Sequence, residues 1–135
     1  MVFQPRWGWL ESMAYNRDPD SSGLGAPRPA TGWRHGMAGS VRDDRRVDCW
    51  LLCDHAKIQA ARFEVFAGPA AMTAAEWLAG WLAGRSPAAA AAMTGLELAR
   101  RTELADEARS DALCIEDALR AALSAPPIEG GRRRS

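Results

Sequence analysis

The hydrophobic period changes partway along this chain, and that change limits what it can fold into. From Val47 the apolar residues alternate. Val47, Cys49, Leu51 and Cys53 share one face of an extended segment, and Asp48, Trp50, Leu52 and Asp54 share the other. Asp54-His55-Ala56-Lys57 is a short turn candidate. Ile58 to Phe66 then reads as a second strand, with Ala61, Phe63 and Val65 opposite Arg62, Glu64 and Phe66. Two strands this close predict an antiparallel hairpin.

From Ala70 the period becomes helical. Ala71, Ala74, Ala75, Leu78, Trp81 and Leu82 form one broad face over 70–83, with Trp77 at its margin. Ser86-Pro87 offers an N-cap and an N1 proline for a short alanine-rich helix to Met93. Thr94-Gly95-Leu96-Glu97 has the capping-box pattern. A last helix over about 105–123 carries Ala108, Ala112, Ile115, Leu119 and Ala122 as its apolar stripe. A hairpin followed by helices predicts an α+β domain with the helices on one face of the sheet.

The first 46 residues are polar and interrupted by Pro5, Pro19, Pro27 and Pro29. Trp7, Leu10 and Ala14 have helical spacing and predict a short helix over Trp7–Tyr15. Residues 18–32 read as a long loop. At the other end, Pro126 and Pro127 stop the last helix, and 126–135 reads as a flexible tail. The expected organisation is one domain over 1–125: an N-terminal helix and loop over 1–46, the hairpin over 47–66 and helices over 69–125.

A length of 135 residues suits one core that needs neither disulfide nor metal. Seventeen basic and seventeen acidic residues cancel, which argues against a nucleic-acid partner. Three cysteines are too few and odd for a secreted disulfide framework, so a reducing, cytoplasmic setting is expected. No stretch reaches the ~20 apolar residues of a membrane span, and no signal peptide is expected at the N-terminus. Arginine-rich, alanine-rich usage with a single lysine, Lys57, reads as a GC-rich bacterial coding sequence.

Chemistry-bearing patterns are sparse. Cys49 and Cys53 point the same way but lie roughly 13 Å apart along a strand, too far for one zinc. Alternating with Val47 and Leu51, they read as core residues. Cys114 lies off the stripe of the last helix and is expected to be a partly exposed thiol. His35 and His55 read as solvated. With no glycine-rich phosphate loop, metal-binding or nucleophile motif, no catalytic residue is expected and the chain is not read as an enzyme. Trp50 and Leu52, with Phe66 beside them, lie on the sheet face opposite the helices. They are candidate anchors for a protein partner, unless the N-terminal loop, through Trp33, covers them.

The order of elements resembles the iron-sulfur cluster scaffold family of IscU and the N-terminal domain of NifU. Asp18-Pro19-Asp20-Ser21-Ser22-Gly23 is similar to the family's NPxNxG segment. Gly36-Met37-Ala38-Gly39 resembles the glycine-rich stretch before its first strand, and IQAARFEVF over 58–66 resembles its second strand. Trp81, Gly84, Arg85 and Ser86 match the end of its central helix, close to EWVKGKS in the family. Thr94 and Leu96 fall on its short capped helix, and 116–123 is similar to its EDAIKAAI end. The resemblance implies an α+β fold with a small antiparallel sheet of about three strands.

In that family three cysteines and an aspartate or histidine hold a 2Fe-2S cluster or zinc, because thiolates are soft anionic ligands. Carried over, the first cysteine falls on Asp43 and the aspartate on Arg45. The second and third cysteines fall on Gly68 and Asp111. The chaperone-docking LPPVK falls on Leu104-Ala105-Asp106-Glu107-Ala108. The ligand set is therefore expected to be degenerate, with no cofactor held. The implied role is a scaffold-like accessory or regulatory protein that binds protein partners, a cysteine desulfurase or another complex. The alternative is a scaffold for zinc or an iron-sulfur cluster with atypical ligands: Asp43, Asp44, Asp111 and Cys114, with His35 reaching in from the loop.

Overall fold

A computed structural model describes residues 23–129, so the expected Trp7–Tyr15 helix, most of the 18–23 motif and the last six residues lie outside the described residues. Three strands form one antiparallel sheet in the order β1 (Arg34–Ser40), β2 (Arg45–Asp54) and β3 (Lys57–Phe66). Four helices follow: α1 (Pro69–Leu82), α2 (Pro87–Ala91), α3 (Gly95–Arg101) and α4 (Arg109–Ser124). The α+β class with a three-stranded antiparallel sheet is as expected. The glycine-rich 36–39 stretch, assigned above to the loop before the sheet, is instead the middle of β1.

Cross-strand register puts Gly36, Cys49 and Phe63 in one row, with Ala38, Val47 and Val65 in the next. That face is covered by the helices. Val47, Cys49, Leu51, Ile58 and Phe63 are fully buried, together with Leu78, Leu82, Ile115 and Leu119 from α1 and α4. Each large side chain so buried contributes about 1.5–3 kcal/mol, which makes the sheet–helix seam the main source of stability. Between Leu52 and Cys53 the register shifts, because Leu52 pairs with Ala60 and Cys53 with Ile58. The slip turns Ile58 into the core with Cys53, where uninterrupted alternation would have sent it outward.

Glycine decides how closely α4 sits on β1. A Cβ at Gly36 would lie 2.1 Å from the Ala122 nitrogen and 2.6 Å from the Ala118 oxygen, so only a bare backbone fits. The capping signals hold in part. Ser86 Oγ accepts from Ala89 N, and Thr94 Oγ1 accepts from Glu97 N at 3.1 Å. Glu97 pairs with Arg100 and Arg101. The Glu116 carboxylate of α4 accepts from Gly95 N at 2.6 Å instead, so α3 is capped from another helix. The last helix starts at Arg109, after a 3-10 turn over Asp106–Ala108, rather than at about 105.

The chain before β1 edges the sheet and then crosses it. Leu24 bridges Phe63 on the free side of β3, while Gly25 N donates to Phe63 O and Phe63 N to Gly23 O. The Arg62 guanidinium on the outer face donates to the carbonyls of Leu24 and Gly25. Residues 26–33 then pass to the opposite edge. There Ile128 closes the fold: its N donates to Trp33 O, and its carbonyl accepts from Gly32 N at 2.8 Å. Residues 126–128 of the expected tail are thus tied to the start of β1, a pairing with no local sequence signal.

Candidate functional site

One end of the sheet collects the positions to which the family resemblance assigns ligands. β1 leaves through Ser40 into a 3-10 turn over Val41–Asp43. Asp44, exposed and in the left-handed region at φ 59°, reverses the chain into β2. Ser40 Oγ donates to Asp43 Oδ2 at 2.9 Å, which ties that carboxylate to its own turn. Arg45 opens β2. Its Nε donates to Asp111 Oδ1 at 2.6 Å, and its Nη2 donates to Ser110 Oγ at 2.9 Å. Gly68 follows β3 by two residues, and β3 ends on Phe66 opposite Arg46, so it belongs to the same end of the sheet. It caps α1 with extended backbone, and a Cβ there would meet nothing within 4 Å.

The electrostatics of this cluster are already settled within the protein. Asp111 sits in the first turn of α4, where the helix dipole favours a carboxylate. Its hydrogen bond and charge hold Arg45 yet more firmly protonated. Cys114, one turn further along α4, is not the partly exposed thiol expected above. It is buried on the helix face turned to β1, and a Cβ on Gly39 would lie 3.1 Å from its sulfur. Burial raises its pKa, with Arg45 opposing, so the thiol form is favoured. The apolar face of α4 is broader than its spacing predicts because the helix packs on β1 as well as β2.

His35 does not join this cluster. It lies in β1 opposite Trp50, five pairs from Ser40 and Arg45, or roughly 17 Å along the strand. Its Nε2 is 2.7 Å from Asp48 Oδ1, and its ring stacks on Trp50 at 4.9 Å. It is therefore not the solvated residue expected above. Arg46 Nε donates to Asp48 Oδ2 at 3.0 Å, so the buried Asp48 carboxylate is paired from both sides. The alternation marked Asp48 as outward-facing and left this network unseen. His55 is 92% exposed, as read.

Of the three expected partner anchors, Trp50 is a correction. At 8% exposure it is buried beneath His35 and cannot serve as an exposed anchor. Leu52 is half-buried and lines, together with Trp33 of the loop, an open concavity on this face, so the loop covers this part of the sheet only in part. Only Phe66, at 49%, stands clear. Cys49 is fully buried with its thiol pKa pushed well up by desolvation, as a core residue should be, and Cys53 is half-buried.

The positions to which the resemblance assigns ligands are otherwise engaged or carry no donor. Asp111 is engaged by a guanidinium, Asp43 by a serine, Gly68 has no side-chain donor, and burial favours the thiol form of Cys114. Among the described residues no three His, Cys, Asp or Glu side chains are grouped to hold a metal ion. No described helix is long and apolar enough to cross a membrane. No family model matches the chain, and no curated protein matches it.

Proposed function

We infer that the chain is a scaffold-like protein of the IscU/NifU type that has given up cluster binding and acts as a non-catalytic, protein-binding accessory or regulatory subunit. The observation that carries this reading is the Arg45–Asp111 pair, two side chains 66 positions apart brought to 2.6 Å at the end of the sheet. A cation stands where the resemblance assigns an anionic ligand. It satisfies the carboxylate that stands where a thiolate is assigned. Such a pair keeps the two elements together without an ion, and its fixed positive charge opposes any divalent cation placed between them. The partner expected is a protein, a cysteine desulfurase or another complex, and exposed Phe66 near the same end is the anchor available to it.

The test is elemental analysis of the full-length chain purified anaerobically, with its visible absorption spectrum and acid-labile sulfide. Substoichiometric iron, zinc and sulfide are expected. One metal or cluster per chain, lost on Asp43→Ala and Asp111→Ala, overturns the reading in favour of an atypical metallo-scaffold. A pull-down from the native host then identifies the partner, and Phe66→Ala is expected to weaken its capture.

A further inference from the structure

At the opposite end of the sheet from Arg45, a groove of about 800 Å3 lies between the loop over 27–33, the outer face of β2 and β3, and the outward edge of α1. Its walls are largely apolar, with Pro27, Trp33, Leu52, Ala60, Ala79 and Ala83 among them. Gly80 adds a position where the helix surface drops away, since a Cβ there would meet nothing within 4 Å. An apolar concavity of this size on a small domain is built to receive apolar side chains.

The chain itself leads into it. Gly23, where the described residues begin, lines the groove and is pressed on α1 so closely that a Cβ would lie 2.8 Å from Ala79 Cβ. Upstream, Trp7, Leu10 and Ala14 recur at helical spacing. Seven residues, 16–22, separate Tyr15 from Gly23 and span up to roughly 25 Å when extended, enough to reach any part of the groove. A segment tethered that closely has an effective concentration on the order of millimolar, which favours it over any free ligand of equal intrinsic affinity. We propose that the groove is the seat of the chain's own N-terminal segment, with the Trp7–Leu10–Ala14 stripe packed against β3 and α1. The segment then completes the outer cover of the sheet that residues 24–33 begin. This inference does not depend on the fate of the Arg45–Asp111 end.

The test uses the full-length chain carrying the photo-crosslinking residue p-benzoylphenylalanine in place of Leu10. Irradiation at low protein concentration is expected to give an intramolecular cross-link to peptides containing residues 59–62 or 76–83. In a second chain Gly80→Trp fills the groove from a position with open space. There the cross-link is expected to fall about tenfold while the circular dichroism spectrum is retained. Cross-links joining two copies, cross-links confined to residues outside the groove, or a yield unmoved by Gly80→Trp would overturn the proposal.

Discussion

Arg45 and Asp111 illustrate how much a single pair can decide. The carboxylate is the better buried partner, with 17% of its side chain exposed against 36% for the arginine. The bond is therefore neither a screened surface contact nor a deeply desolvated ion pair, and its net value falls between those limits. A double-mutant cycle of Arg45→Ala and Asp111→Ala, read by urea unfolding, should return a coupling of about 1 kcal/mol, reduced in high salt. A coupling near zero would show that the two side chains only share a location. Glu97 gives a separate test at the same scale. Hydrogen bonds from Arg100 and then Arg101 hold its carboxyl down at about 2. Because the folded-state pKa is depressed, the stabilisation is complete above the ordinary carboxylate range and is lost as pH falls through about 2. An NMR titration of the Glu97 carboxyl should show that midpoint, and Arg100→Ala should move it upward toward the ordinary value.

Elements were legible where their period was local. The alternation from Val47 located β2 and β3, and the apolar face from Ala71 to Leu82 located α1, because each signal lies within one segment. β1 was hidden because three of its seven residues are Gly36, Ala38 and Gly39, which carry little or no side chain and give no alternation to read. Their smallness serves α4, whose backbone rests on Gly36. Replacing Gly36 with alanine drives a Cβ into main-chain atoms that cannot step aside. The expected cost exceeds about 3 kcal/mol, or prevents folding. Gly80→Ala, with open space at its Cβ and a helical backbone, should instead stabilise by about 0.5–1 kcal/mol. Thermal melts of the two variants separate steric necessity from mere flexibility, because both lose the backbone freedom of glycine in the unfolded chain and only Gly36 meets a steric block. The candidate site was half legible in the same sense. Asp43, Arg45 and Asp111 could be named from the sequence, but their pairing across 66 residues belongs to the packing of α4 on the sheet.

For the whole molecule, the proposed reading turns on whether this end of the fold has the shape to hold an ion when suitable donors are supplied. The geometry allows a direct answer. Asp43 is exposed in its turn, Gly68 has room for a side chain, and Arg45 and Asp111 already meet across the gap between β2 and α4. Supplying the donor types that the resemblance assigns, through Asp43→Cys, Arg45→Asp, Gly68→Cys and Asp111→Cys together, removes the guanidinium and adds three thiolates and a carboxylate. Zinc takes four such ligands tetrahedrally, with bonds near 2.0–2.3 Å, so it binds only if the backbone positions converge. The quadruple variant should bind one zinc per chain, releasing protons as the thiols ionise, and should melt higher with zinc than with a chelator. The parent chain should show neither effect. Arg45→Asp alone should also fail to bind, since deleting the cation without adding soft donors leaves only oxygen ligands. A quadruple variant that folds yet takes up no zinc would mean that the four positions do not converge, and the reading of this end as an erased ligand site would fall with it.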